Sequence, residues 1–101
     1  MRDIIRYLAQ HKMIDCIVTT AGGIEEDIMK CMSTFHLAEF NMNDIENRLN
    51  GHCRIGNMLI PNDNYVKLEA FLLPLFAKLA KEQEEKNFRW TPRKFIHRLG
   101  L

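Results

Sequence analysis

Two glycines followed by three carboxylates give residues 18–27 the composition of a ligand-binding turn. Gly22 and Gly23 would let the backbone approach a ligand closely at the end of a strand. Acidic residues at positions 25, 26 and 27 then begin a predicted helix. Carboxylates there would repel a pyrophosphate, which binds bare amides at a helix N-terminus. They suit a polyamine, or ribose hydroxyls that need acceptors.

The acidic residues also have a purely structural explanation. Carboxylates in the first turn stabilise any helix by about 0.3–1 kcal/mol, and spacing alone does not choose between the two interpretations. Successive helical residues point about 100° apart. We therefore expect Glu25 and Glu26 to diverge and to play different parts.

The elements around this turn follow an α/β order. Apolar residues at helical spacing predict helices over about 2–12 and about 23–32. Between them, the apolar and β-rich run 15–21 predicts a buried parallel strand that ends at the glycines. This order predicts part of a doubly wound, Rossmann-like parallel sheet, where ligands bind at the carboxyl ends of strands.

The remaining residues predict a long connection, one strand and two helices. The connection covers about 33–57, and a second strand is predicted over 54–60 before Pro61. A longer helix capped by Asn62 or Asn64 follows, with an apolar stripe from Tyr65 to Leu79. Thr91 as N-cap and Pro92 at the first helical position predict a short last helix.

Composition places limits on the class of protein. The chain has 101 residues, a net charge of +1, 47% hydrophobic residues and 27% charged residues, which predicts one folded domain or a part of one. No global charge favours nucleic acid or a membrane surface, and no signal peptide is evident, so a cytoplasmic location is expected. The three cysteines lack metal or disulfide spacing, so we assign no metal site and expect buried thiols.

Three motifs resemble deoxyhypusine synthases in sequence and in order. They are VTTAGGIEED at residues 18–27, RIGNMLIPNDNY at 54–65 and WTPRKFIHRLG at 90–100. Together they are spread over nearly the whole chain, so the chain is identified as a partial member of that family.

The resemblance implies a transferase that uses NAD to dehydrogenate spermidine and moves its aminobutyl group, through an enzyme lysine, to a lysine of a translation factor. In the family, the residues matching Thr20, Ala21 and Gly22 contact NAD. Those matching Glu25 and Glu26 face spermidine, and Glu26 also reaches NAD. We expect Glu26 to matter more than Asp27, which matches no family ligand. Family members are homotetramers, which implies that other subunits are partners of this chain.

The chain also departs from the family pattern. Family members are several times longer and carry the imine-forming lysine in a C-terminal half, and no lysine here lies in such a motif. We therefore assign no catalytic residue and expect activity only with the remaining half of the enzyme. Two alternatives stay open: a portion of the related homospermidine synthase, or an inactive paralogue that serves as an assembly or regulatory subunit.

Overall fold

The computed structural model describes residues 1–101 as five helices and one small sheet. The predicted α/β class is confirmed, and none of the helices is long and apolar enough to span a membrane. In chain order the elements are α1 (Arg2–Gln10), α2 (Ala21–Met32), β1 (His36–Leu37), α3 (Asp44–Leu49), β2 (His52–Ile55), β3 (Met58–Pro61), α4 (Asn62–Lys86) and α5 (Pro92–Leu99).

The sheet is antiparallel and has the order β1-β3-β2. The strand predicted over 54–60 is wrong, because residues 52–61 form a hairpin of β2 and β3. Gly56 lies at the turn with a φ of +59°, a conformation that glycine adopts without steric cost. Its apolar neighbours Ile55 and Met58 continue the strand pattern across the turn, and for that reason the break was not predicted.

The strand predicted over 15–21 is not formed in this structure. Residues 16–20 have no sheet partner, and Ala21 already belongs to α2. The side chains of Ile17 and Val18 are 54% and 95% exposed, although their sequence is typical of a buried strand. A strand is held by hydrogen bonds to a neighbour, and the three strands of this sheet pair only with one another. The predicted doubly wound parallel sheet is therefore not seen here.

The chain divides into two compact units, Met1–Leu68 and Glu69–Leu101, and the boundary falls within α4. In the first unit, Met29 of α2 and Ile60 of β3 are fully buried. Asn64 is buried as well, and its amide donates to the carbonyl oxygen of Thr34 (3.0 Å), which satisfies a polar group that would otherwise be costly to bury.

The second unit is organised around Trp90. The Trp90 indole N–H donates to the carbonyl oxygen of Leu79 (3.0 Å), and the Trp90 backbone amide donates to Oε1 of Gln83 (3.1 Å). Thr91 then caps α5 as predicted, accepting a hydrogen bond from the Lys94 amide (3.4 Å). These contacts connect the end of α4 to the start of α5.

The three cysteines contradict the expectation of buried thiols. Cys16, Cys31 and Cys53 are all free and exposed. Cys16 lies in the segment that forms no strand, so the burial predicted for it depended on a sheet that this structure does not contain.

An ion pair holds α3 to the hairpin. The guanidinium of Arg54 binds both carboxylate oxygens of Asp44 through Nε and Nη2, and its Nη1 donates to the carbonyl oxygens of Phe40 and Gly56. The hydrogen bond from Arg54 lowers the pKa of Asp44 below its ordinary value. One side chain thus connects a loop, a helix and a turn.

We predict that Asp44→Asn lowers the urea midpoint at neutral pH. The urea midpoint of this variant should also change less with pH in the acid range than that of the wild type. A carboxyl whose pKa is lower in the folded state stabilises the fold above its unfolded pKa of about 3.9. That contribution disappears as the pH falls through the folded pKa. Urea midpoints between pH 2 and 7 measure this, with Asp63→Asn as the control because Asp63 makes no ion pair. Equal acid dependence in wild type and Asp44→Asn would contradict the prediction.

Candidate functional site

The predicted site residues lie at the start of α2, where an extended segment turns into a helix. The backbone amide of Gly23 donates to Oγ1 of Thr20 (3.3 Å), which makes Thr20 the N-cap. Such a cap satisfies one of the amides that the first turn leaves without a partner. The hydroxyl of Thr20 therefore sets where α2 begins, and Ala21 and Gly22 are its first two residues.

The two glycines have different surroundings. A Cβ atom on Gly23 would lie 2.6 Å from Oγ1 of Thr19, closer than real side chains approach. A Cβ atom on Gly22 would lie 3.5 Å from Oγ1 of Thr20, which is an ordinary contact. Packing within the chain thus explains a glycine at position 23 and leaves the glycine at 22 without a structural reason.

The acidic residues lie two residues further into the helix than the sequence predicted. Because α2 starts at Ala21, its first turn holds no acidic residue. The favourable effect of the helix dipole on a carboxylate falls off within the first turn. The structural explanation for Glu25, Glu26 and Asp27 is accordingly weaker than the sequence suggested.

Glu26 and Asp27 line an open groove of about 800 Å³, and Glu25 does not. The predicted divergence of Glu25 and Glu26 agrees with this placement. Three cations also line the groove, namely Arg2, Arg6 and Lys30. With two carboxylates and three cations, the charged side chains of the groove sum to +1. The groove is therefore mixed in charge, and not the acidic surface that the run of carboxylates predicted.

Tyr65 is affected electrostatically by both glutamates. Partial burial raises the pKa of the Tyr65 phenol above its ordinary value near 10, and electrostatic effects from Cys53, Glu25 and Glu26 raise it further. The spacing of apolar residues predicts Tyr65 in a core stripe of α4 and gives no sign of its electrostatic coupling to the glutamates. Helical periodicity identifies an inward face, but it does not indicate which polar groups that face meets.

Asp27 is bound by α1. Nε of Arg2 donates to Oδ1 of Asp27 (2.7 Å), and Nη2 of Arg2 donates to the backbone oxygen of Asp27 (3.0 Å). The sequence predicts Asp27 as part of a helix start, without a specific partner. A contact between residues 25 positions apart leaves no local signal in the sequence.

The structure thus brings all five predicted ligand-contacting residues into less than two helical turns. They are Thr20, Ala21, Gly22, Glu25 and Glu26. No group of three or more His, Cys, Asp and Glu side chains is arranged to hold a metal ion. The chain is therefore an α/β protein whose candidate site lies in the first two turns of α2 and its N-cap.

Comparisons with known proteins identify the family. The family model described as "Deoxyhypusine synthase" matches residues 1–101 of the chain. The deoxyhypusine synthase of Senecio vernalis is 54% identical over 100 residues, and that of Arabidopsis thaliana is 50% identical over 100 residues. Homospermidine synthase 2 of Senecio vernalis is 46% identical over the same length. The chain belongs to the deoxyhypusine synthase family.

The matched region is most of this chain and a minor part of its relatives. Each of these three alignments covers 99% of the chain and 27% of the relative. The family membership therefore applies to a portion of the family's full length.

We predict that the folded chain tolerates alanine better at position 22 than at position 23. Gly22→Ala should raise the free energy of unfolding by up to about 1 kcal/mol, because alanine favours helix and the site has room. Gly23→Ala should be less stable than Gly22→Ala, since it must displace the Thr19 hydroxyl, whose χ1 is restricted by β-branching. Urea unfolding measures both variants.

The double variant Thr19→Ala with Gly23→Ala is the control for this interpretation. Removing the Thr19 hydroxyl removes the clash. Gly23→Ala should therefore lower the free energy of unfolding less in the Thr19→Ala background than in the wild type. Additive effects would show that the contact with Thr19 is not what requires a glycine.

Proposed function

We propose that this chain is a portion of an NAD-dependent deoxyhypusine synthase, which transfers the aminobutyl group of spermidine to a lysine of a translation factor. The observation that carries the proposal is the start of α2, where the five residues of the family's ligand-binding motif lie within two turns of one helix. The dipole explanation for the acidic residues is weak there, which favours a role in binding.

We assign Thr20, Ala21 and Gly22 to NAD. The absence of a packing reason for glycine at 22 supports this assignment, because a ligand that approaches the backbone would exclude a Cβ atom there. Thr20, Ala21 and Gly22 do not line the groove that Glu26 enters, so the groove's mixed charge adds nothing to this assignment. NAD, when bound, would supply a hydride acceptor for the oxidation of spermidine.

We assign Glu25 and Glu26 to spermidine, with Glu26 also contacting NAD. Both glutamates are half-buried, and Glu26 faces the groove that Thr19 and Gly23 also line. A carboxylate that is partly shielded from water binds an ammonium group more strongly than a fully exposed one. Spermidine is the cationic substrate that this pair would hold.

The proposed reaction also needs residues outside these 101. The chain spans 27% of the length of its relatives, and we assign no lysine in it to imine formation. We propose that in the complete enzyme residues 15–20 join a doubly wound parallel sheet, which would bury the exposed side chains of Ile17 and Val18. A homotetrameric assembly and a cytoplasmic location belong to the same proposal.

Homospermidine synthesis is the second candidate function. The 46% identity to homospermidine synthase 2 of Senecio vernalis favours it specifically. The two activities differ in the acceptor of the aminobutyl group, which is a protein lysine in one and a free amine in the other. The two activities can be distinguished in the completed enzyme. It is supplied with NAD, spermidine and either the translation factor or a free diamine, and the product is identified by mass spectrometry.

We predict that Glu26→Gln weakens spermidine and NAD binding in an assembly whose wild-type form is active. Loss of one charge-assisted hydrogen bond costs about 1.5–3 kcal/mol, which is about ten- to a hundredfold in affinity. Glu69→Gln is the matched control, because Glu69 is an exposed acid in the second turn of α4 without an ion pair. Thermal midpoints monitor folding. Equal affinities for wild type and Glu26→Gln would mean that Glu26 is not a ligand.

We also predict that the 101-residue chain alone forms no deoxyhypusine from NAD, spermidine and the translation factor. Covalent transfer requires an enzyme amine in the correct geometry, and we assign none here. Mass spectrometry of the translation factor after incubation measures the product, first without and then with the complementary portion of a relative. Product from the pure chain would disprove this prediction.

A further inference from the structure

The contact between Arg2 and Asp27 joins α1 to the helix that carries the candidate site. One guanidinium binds Asp27 twice, through the side-chain oxygen at 2.7 Å and through the backbone oxygen at 3.0 Å. The two bonds use different nitrogens of the planar guanidinium, whose donors have a fixed relative geometry. They therefore hold the backbone of α2 at residue 27 as well as a side chain.

A contact to the backbone at residue 27 also constrains residue 26. Neighbouring residues of a helix are related by a rise of about 1.5 Å and a rotation of about 100°. Holding the carbonyl and the side chain of Asp27 thus limits how far α2 can turn about its own axis. The direction in which Glu26 enters the groove depends on that rotation.

The charges of the groove give Arg2 a second effect. Arg2, Asp27 and Glu26 all line the groove, so Arg2 has two carboxylates within the same surface. Its hydrogen bonds direct the guanidinium to Asp27, and Glu26 makes no ion pair with Arg2 or with another cation of the chain. Removing the Asp27 carboxylate would leave Arg2 only the backbone oxygen of residue 27 as a partner, and its charge would then compete with a cationic ligand for Glu26.

We propose that Arg2 is a positioning residue for the polyamine site: bound to Asp27, it sets the orientation of Glu26 and keeps that carboxylate available. This inference rests on the function proposed above. The two side chains are 49% and 50% exposed, and an ion pair that exposed contributes little to stability. Substitution of Arg2 therefore acts on ligand affinity more than on folding.

The test measures spermidine affinity by calorimetry in an assembly whose wild-type form is active. Arg2→Gln should weaken spermidine binding about three- to tenfold, with a thermal midpoint close to that of wild type. Arg2→Lys should recover only part of the loss, because an ammonium keeps the charge without the two fixed donors. Arg48→Gln is the matched control, since Arg48 is a helical arginine of the same unit without an ion pair.

Two Asp27 variants separate positioning from simple charge. Asp27→Asn removes the negative charge that attracts Arg2 and leaves the backbone bond, and it should weaken spermidine binding more than Arg2→Gln does but less than Glu26→Gln does. The double variant, Asp27→Asn with Arg2→Gln, removes the competing cation and should bind spermidine better than Asp27→Asn alone. A role of the pair in stability alone would not produce this recovery.

The outcomes distinguish the inference from the proposed function. Three results would overturn the positioning role and leave the proposed function standing. They are wild-type spermidine affinity in Arg2→Gln, a loss of affinity that parallels a fall in the thermal midpoint, and a double variant that binds spermidine no better than Asp27→Asn. A wild-type assembly that forms deoxyhypusine without measurable dependence on Glu26 would instead overturn the proposed site, and the role of Arg2 with it.

Discussion

The hydrogen bond from the Gly23 amide to the Thr20 hydroxyl determines where α2 begins, and the arrangement of the candidate site depends on it. If α2 began at Gly23, the carboxylates would lie in its first turn and act on the helix dipole. The cap at Thr20 moves the helix start to Ala21, so the carboxylates enter the second turn. It also requires Thr19 and Gly23 to lie close together, which leaves no room for a side chain at residue 23.

The charges around the site compensate one another. The run of three acids suited a polyamine or ribose hydroxyls, and the fold places basic residues of α1 and α2 beside it. Asp27 is bound by Arg2, Glu26 faces a groove with Arg6 and Lys30, and Glu25 lies outside the groove. Three neighbouring residues of the same charge thus have three different environments, since helical geometry sends each in its own direction.

Local signals in the sequence predicted what local interactions determine. The helices α1 and α5 were predicted because apolar spacing, Thr91 and Pro92 act within a few residues. The hairpin was missed because apolar residues continue across Gly56, whose left-handed backbone leaves no periodic signal. The strand at 15–21 was predicted from composition, but a strand also requires a neighbour to bind.

Contacts between distant residues account for the rest of what was missed. Arg54 and Asp44 are ten residues apart, and Arg2 and Asp27 are 25 apart. The sequence contains 14 basic and 13 acidic residues, and periodicity does not tell which of them pair. The five residues of the candidate site were identified by resemblance, whereas the contacts that hold them came only from the structure.

The placement of the aromatic residues separates the two compact units spectroscopically. Trp90 is the single tryptophan and lies in the second unit, with its indole N–H bound to Leu79. Both tyrosines, Tyr7 and Tyr65, lie in the first unit. Tryptophan emission therefore reports on residues 69–101 alone, whereas near-ultraviolet absorbance combines Trp90 with the two tyrosines of residues 1–68. If the emission and absorbance curves do not coincide on denaturation, the two units of this chain unfold in separate transitions.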